Sequence, residues 1–282
     1  MAIRFGGPVF LKSKDPAELA REHRRLGYRA AYCPRPAFDD PSCENLKKVA
    51  EAFAKENIVI AEVGAWCNAM HPDTATREKN INLVIGRLDL ADRLGALCAV
   101  DYSGSFSPEH PAGPHPDDLT EKAFDLVVAN TRRIIDTVKP KRAKFCLEMM
   151  QWAWPDSPEA YLRLIKAVDR PAFGVHLDAT NIINCPRAYY DTGAVINDCI
   201  RKLGPHIVSA HAKDVTMTPE MLVTLRETRP GTGRLDYRAY LKGLATLPHE
   251  VPLMLEHLKT AEEYAAAAEH IRGVAKECGA AL

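Results

Sequence analysis

Four side chains with metal-ligand chemistry stand near the carboxyl ends of apolar runs: Glu148 in FCLEMM, Asp178 in GVHLDAT, His211 in VSAHAKDV and Glu256 in LMLEHL. They follow one another at intervals of 30, 33 and 45 residues. Each interval is about one strand plus one helix, so the four would come from four consecutive strands of a βα array and converge at one end of it. A charged group within a strand covered by helices costs several kcal/mol unless it is paired or bound to a cation. Taken singly, each could pair with an Arg or Lys across the array. Four at matched strand ends favour a divalent cation. Three carboxylates and one imidazole suit a hard ion, with Mn²⁺ preferred and Mg²⁺, Co²⁺ or Zn²⁺ also able to fit.

The elements that must position these groups are legible as eight short apolar runs, at residues 4–10, 28–34, 59–66, 96–104, 143–150, 173–180, 207–215 and 251–258. Amphipathic stretches separate them. Asp15-Pro16, Asp117-Asp118 and Asp156-Ser157-Pro158-Glu159 are helix start signals. Apolar residues at 83, 85, 88, 90 and 94 form one stripe, with Arg87, Asp89 and Arg93 outside it. Eight strands alternating with helices predict an α/β fold, a single (β/α)8 TIM barrel domain over residues 1–282. The Pro-rich segment 107–116 reads as a long loop after the fourth strand, on the catalytic face, either a cover for the site or a plain surface excursion.

Strand alternation puts His176 on the side of Asp178, and Ser209 and Lys213 on the side of His211. His176 is then either a substrate contact or a satisfied histidine one layer below the cation. Lys213 would neutralise an oxyanion or reach a substrate hydroxyl, or stand at the surface. On the third strand Glu62, Gly64, Trp66 and Asn68 share a side, an arrangement suited to a sugar's apolar face and hydroxyls. Trp152 and Trp154, just past Glu148, read as a substrate wall. Residues 230–233 (PGTG) read as a tight turn whose amides could meet a phosphate.

The composition, 46% hydrophobic and 26% charged over 282 residues, is that of a chain able to bury a large core. Lys+Arg and Asp+Glu both number 37, so no global positive field draws a nucleic acid. The eight cysteines form no CxxC pair and are expected to be free thiols. With no signal-like amino terminus and no run of about 18 apolar residues, the expectation is a cytoplasmic protein away from membranes.

The ordered set of motifs resembles the sugar phosphate isomerase/epimerase superfamily, the xylose isomerase-like TIM barrels that include ketose 3-epimerases, hydroxypyruvate isomerases and inosose dehydratases. The resemblance spans essentially the whole chain. It rests on Glu62 in AEVGAW, Glu148 in LEMM, His176 and Asp178 in HLD, His211, Lys213 and Asp214 in HAKD, PGTG followed by Asp236-Tyr237, and Glu256 in LEH. It implies a metal held by Glu148, Asp178, His211 and Glu256. It also implies that Glu148 and Glu256 flank a ketose or related keto sugar, one of them removing the proton beside its carbonyl to give an enediolate. Glu62, Trp66, Asn68, His176, Asn181 and Lys213 are the expected substrate contacts. Relatives of this kind are often homodimers or homotetramers.

Two positions depart from the ketose epimerase pattern. Asn181 stands where a His is usual, and no Arg follows His211 closely. Asn binds a hydroxyl but relays no proton at neutral pH, which points to a different sugar or reacting carbon. Three rival readings follow: a metal-dependent lyase or dehydratase acting on an inosose or 3-keto sugar, an abasic-site endonuclease, and a non-catalytic sugar-binding subunit. The endonuclease would need additional histidines and a basic groove. A non-catalytic role leaves four intact ligands unexplained.

Overall fold

In the computed structural model, which describes residues 2–282, ten strands form in chain order. They are β1 (Arg4–Gly6), β2 (Ala30–Tyr32), β3 (Val59–Gly64), β4 (Cys98–Asp101), β5 (Lys144–Glu148), β6 (Phe173–Leu177), β7 (Ile207–Ala212), β8 (Asp214–Met217), β9 (Leu225–Thr228) and β10 (Pro252–Leu255). Eight of them close into a barrel in the order β1-β10-β7-β6-β5-β4-β3-β2. Neighbouring barrel strands pair in parallel, as connections through helices require. The fold is therefore the expected TIM barrel.

The local signals explain most of the helices. Asp15 accepts from Ala17 N at the start of helix Pro16–Arg25, and Ser157 accepts from Ala160 N at the start of Pro158–Val168. The expected stripe falls on helix Thr74–Leu94, but the buried side is Ile81, Val84, Leu88, Leu90, Ala91 and Leu94, with Leu83 exposed; the helix ends at Gly95 with φ 79°, a left-handed conformation that glycine adopts without strain. The signal at Asp117-Asp118 is displaced. The helix there is Glu121–Val138, capped by Thr120. Asp118 instead turns inward, accepting from Ser105 Oγ at 2.7 Å and Phe106 N at 2.8 Å, and so fastens the base of the 107–116 loop. All eight cysteines are free. Among the described residues no helix is long and apolar enough to cross a membrane.

The run at 207–215 divides in two. After β7 the chain turns out of the barrel, and β8 pairs antiparallel with β9 as a hairpin standing beside the site. Asp214, at the division, is 1% exposed. Its Oδ1 accepts from Val215 N and Leu235 N at 2.8 Å, and its Oδ2 from Gly231 N at 2.9 Å and Gly233 N at 3.0 Å. The amides of the 230–233 turn thus serve an internal carboxylate, which corrects the expectation that they could meet a phosphate. Glycine is required at both ends: Gly231 has φ 91°, and a Cβ on Gly233 would lie 2.3 Å from Asp214 Oδ1. An Asp214→Ala variant leaves four amides without their acceptor, the Val215 and Leu235 amides being buried. It is expected to lose about 3 kcal/mol or more of stability, read as a lower urea midpoint at unchanged m-value.

Candidate metal centre and substrate cavity

β5 ends on Glu148, β6 ends one residue before Asp178, β7 carries His211, and β10 ends one residue before Glu256. The parallel registers Glu148↔His176, Leu177↔Ala210 and Met254↔His211 bring these ends to one height on the rim. One ligand atom from each residue lies within 4.8 Å of those of the other three. His211 Nδ1 stands 2.7 Å from Glu256 Oε1, 2.9 Å from Glu148 Oε1 and 3.5 Å from Asp178 Oδ2.

Lys213 enters the same cluster. Its Nζ is 2.6 Å from Glu256 Oε1, 2.7 Å from Asp178 Oδ2 and 3.3 Å from Glu148 Oε1, and the residue is 2% exposed. It is therefore not a surface lysine. Burial alone would raise the carboxyls, but Lys213 and His211 hold Asp178 well below the ordinary carboxylate range, and His211 with Lys213 brings Glu256 down to about 2. The same attraction overrides burial for Lys213 and keeps its ammonium charged.

The donor set fits a divalent cation. Asp178 divides its labour: Oδ1 accepts from Thr180 N at 3.1 Å and Asn181 N at 3.3 Å, while the buried Oδ2 faces Lys213 Nζ at 2.7 Å and His211 Nδ1 at 3.5 Å. Glu256 Oε1 is likewise buried, facing Lys213 Nζ at 2.6 Å and His211 Nδ1 at 2.7 Å. Two buried carboxylate oxygens that converge beside an imidazole, balanced here by the Lys213 ammonium, are what an oxygen-preferring ion would use.

Below the cluster lies a second polar layer. Glu62, with its side chain fully buried, accepts from His176 Nε2 at 3.0 Å, from Ser209 Oγ, and from His211 Nε2 at 3.3 Å. Burial would raise this carboxyl, but His176 and His211 pull it well below its usual range. The hydrogen bonds already engage both Glu62 oxygens, which argues against a second cation among Glu62, His176 and His211. Neither Glu62 nor His176 reaches the cavity, which corrects their expected contact with substrate. The layer has another consequence: His211 Nε2–H donates to Glu62, which orients the ring with Nδ1 toward the ligand cluster, the nitrogen that would hold a cation once it gives up its proton. Glu62→Gln is expected to weaken metal binding about 10–100-fold with the circular dichroism spectrum retained. Calorimetric titration of chelator-treated protein with Mn²⁺ checks this, and an unchanged affinity would remove Glu62 from the positioning of His211.

Asn68 is also not a cavity residue. Its Oδ1 accepts from Met70 N and Ser105 N, both at 2.9 Å, and its Nδ2 donates to Ser105 O at 2.7 Å, tying the loop after β3 to the loop after β4. Trp66 does reach the cavity, though not by strand alternation. Its φ of 49° turns the chain, and the indole folds back over Gly64, where a Cβ would stand 2.1 Å from Nε1. The ring comes to rest 6.3 Å from that of His211 and 6.2 Å from that of Tyr102.

The cavity above the cluster measures about 520 Å³. Tyr32, Trp66, Tyr102, Met150 and Trp152 form its apolar walls, while Glu148, Glu256, Lys213 and Asn181 are among its polar lining groups. Asn181 is oriented by a 3.0 Å bond from Nδ2 to Met149 O. His110 and Ala112 of the 107–116 loop line the mouth, and Trp152 Nε1 donates to Ala112 O at 2.8 Å. Trp154 faces away and packs edge-on against Phe124 at 5.0 Å, so only one of the two post-Glu148 tryptophans is a wall. Sequence reasoning missed Tyr32, Tyr102, Gln151, Glu227 and His257, which all line the cavity. It missed Asp101 too, although a carboxylate inside the apolar run 96–104 was a visible signal. Asp101 is fully buried and accepts from Cys67 N at 2.9 Å and Tyr102 N at 3.0 Å, setting the loops that carry Trp66 and Tyr102.

A closed parallel barrel with a cluster of acids and one imidazole at the carboxyl ends of its strands has its site on the catalytic face of the TIM architecture. More particularly, residues 20–274 match the model of the xylose isomerase-like TIM barrel family, and the chain belongs to that family. No curated protein matches it by sequence. Among solved structures it is similar to a xylose isomerase-like TIM barrel protein from Mycobacterium smegmatis in complex with magnesium. That likeness has 19% identity over 92% of this chain and 87% of the other, with a TM-score of 0.66. It is similar to D-psicose 3-epimerase with D-tagatose from Clostridium cellulolyticum, at 14% identity, 96% and 98% coverage and a TM-score of 0.68. Endonuclease IV from Thermus thermophilus is comparably similar, at 15% identity, 97% and 99% coverage and a TM-score of 0.69. At these identities the likenesses concern the fold.

Proposed function

We propose that the protein is a divalent-metal-dependent sugar isomerase or epimerase that removes the proton beside the carbonyl of a ketose or related keto sugar. The observation that carries this reading is the division of the ligand set. Glu148 and Glu256 line the cavity, whereas Asp178 and His211 do not. Two acids thus face a bound molecule while two other groups complete the cation's coordination. The chemistry that a divalent cation supplies in such a site is positive charge beside the carbonyl and hydroxyl oxygens of an open-chain keto sugar, which acidifies the C–H between them.

The chain's own groups do the rest. One of Glu148 and Glu256 takes the proton, giving an enediolate, and the other returns one. Return to the same carbon from the opposite face yields an epimer, and delivery to the neighbouring carbon yields an aldose–ketose isomer. Lys213 keeps the carboxylates compensated and lies within reach of an oxyanion developing in the cavity. The aromatic walls cover the apolar faces of a sugar and exclude water, and Asn181 holds a hydroxyl. A flexible small molecule suits this aromatic-lined chamber better than a DNA backbone, since the chain has no net positive charge. Mn²⁺ is the preferred ion of the proposal.

A screen in deuterated water across ketoses, inososes and 3-keto glycosides tests it. Metal-dependent uptake of label at the carbon beside the carbonyl is expected. No exchange with any of them in the presence of Mn²⁺, Mg²⁺ or Co²⁺ would end the proposal, and an ultraviolet-absorbing unsaturated product would convert it into that of a lyase.

A further inference from the structure

A second cavity, of about 420 Å³, lies against the first. Gln151, Trp152, Asn181 and Glu227 border both, so the two chambers meet along one wall directly beside the reacting site. Each chamber alone exceeds the ~300 Å³ at which ligand sites begin, so a molecule filling the first does not account for the second. The outer chamber is built by the β8–β9 hairpin, which stands off the barrel.

We infer that the outer chamber is a subsite for a second sugar ring, and that the natural substrate is a glycosidically extended keto sugar rather than a free monosaccharide. This inference rests on the proposed function and names its substrate class. Three observations carry it. Trp152 at the shared wall is fixed in its plane by the bond to Ala112 O, giving a flat apolar face of the kind on which a pyranose stacks. Gln151, at the same wall, is half-buried and borders both chambers, so its amide is placed beside an occupant's hydroxyls. Asn184 and Arg226 line only the outer chamber and add polar side chains to it.

The occupant is a neutral ring rather than a phosphate. Glu227 stands on the shared wall beside Arg226, and the approach continues to Glu256, so an added dianion would meet carboxylates. Glu227 is itself held by His257 Nδ1 at 3.0 Å, which leaves hydroxyl recognition to Gln151, Asn184 and Arg226.

The test compares fructose and psicose with the keto-disaccharides lactulose, maltulose and isomaltulose, by calorimetric titration of the Mn²⁺-loaded protein. At least one disaccharide is expected to bind about tenfold more tightly than the monosaccharides, the return on one further stacked and hydrogen-bonded ring. Asn184→Trp fills the outer chamber and touches nothing at the metal cluster. It is expected to erase the disaccharide advantage while monosaccharide binding stays within twofold, and Gln151→Leu should reduce that advantage in the same direction. Disaccharides that bind no better than monosaccharides, or an advantage that survives Asn184→Trp, overturn the subsite while leaving monosaccharide exchange chemistry intact. Failure of every sugar to bind, together with failure of proton exchange, overturns the functional proposal and the subsite with it.

Discussion

Glu148→Gln and Glu256→Gln are expected to divide the chemistry between them, with at least one losing proton exchange at the substrate carbon by about 10²–10⁴-fold, the range for a positioned acid or base. Both residues line the cavity, and both have a carboxylate oxygen in the ligand cluster, Glu148 at 2.9 Å and Glu256 at 2.7 Å from His211 Nδ1. Gln keeps the shape and one ligating oxygen while removing the basic one. Weakened metal binding and lost proton transfer therefore separate when exchange is measured at saturating Mn²⁺. The pattern across substrates is more informative than the loss itself. An epimerase needs a base on each face, so each variant should fail to label one epimer while still exchanging the other. An isomerase working on one face needs one base, so one variant should lose exchange and the other should lose only metal affinity. Exchange at the native rate in both variants with metal saturating would remove both glutamates from proton transfer.

The ligand cluster was legible because a charge at the end of an apolar strand is an energetic anomaly, and Glu148, Asp178, His211 and Glu256 repeat it at barrel spacing. Parity along a strand was a poorer guide because it fixes the side but not the depth. Glu62 and His176 point inward as alternation requires, yet they lie one layer below the rim, where they bond each other, and Ser209 and His211 donate to Glu62. Alternation also fails where the strand stops, as it does at Gly64, two residues before the positive φ of Trp66. The β8–β9 hairpin escaped for a related reason. The apolar run continues across Lys213 and Asp214, and what turns the chain there is the capture of the amides of residues 231 and 233 by Asp214, a contact about 17 residues away in sequence. The walls from Tyr32, Tyr102, Gln151 and His257 come from four different strand ends and carry no joint pattern in one sequence.

Lys213 ties the stability of the cluster to its metal, with an expected effect of opposite sign on two measurements. Its Nζ lies 2.6 and 2.7 Å from Glu256 Oε1 and Asp178 Oδ2, the same two buried oxygens that would bind the cation. Without metal it is the cation nearest those oxygens, and His211 alone cannot compensate three carboxylates. Lys213→Met should then destabilise the chelator-treated protein by about 3–5 kcal/mol, the cost of stripping a partner from a buried ion pair. Metal binding would relieve that cost, so the variant should bind Mn²⁺ more tightly than the parent, by tenfold or more for each 1.4 kcal/mol recovered. Mn²⁺ at about 100 times its dissociation constant adds roughly 2.7 kcal/mol to the parent by mass action, and a larger increment is expected for the variant. Turnover should move the other way, because the ammonium available to a developing oxyanion is gone. Thermal melts with and without chelator, read beside exchange rates at saturating metal, separate the two effects. If the metal-free variant is as stable as the parent and binds Mn²⁺ no more tightly, the three carboxylates are compensated from elsewhere and Lys213 does not compete for their oxygens.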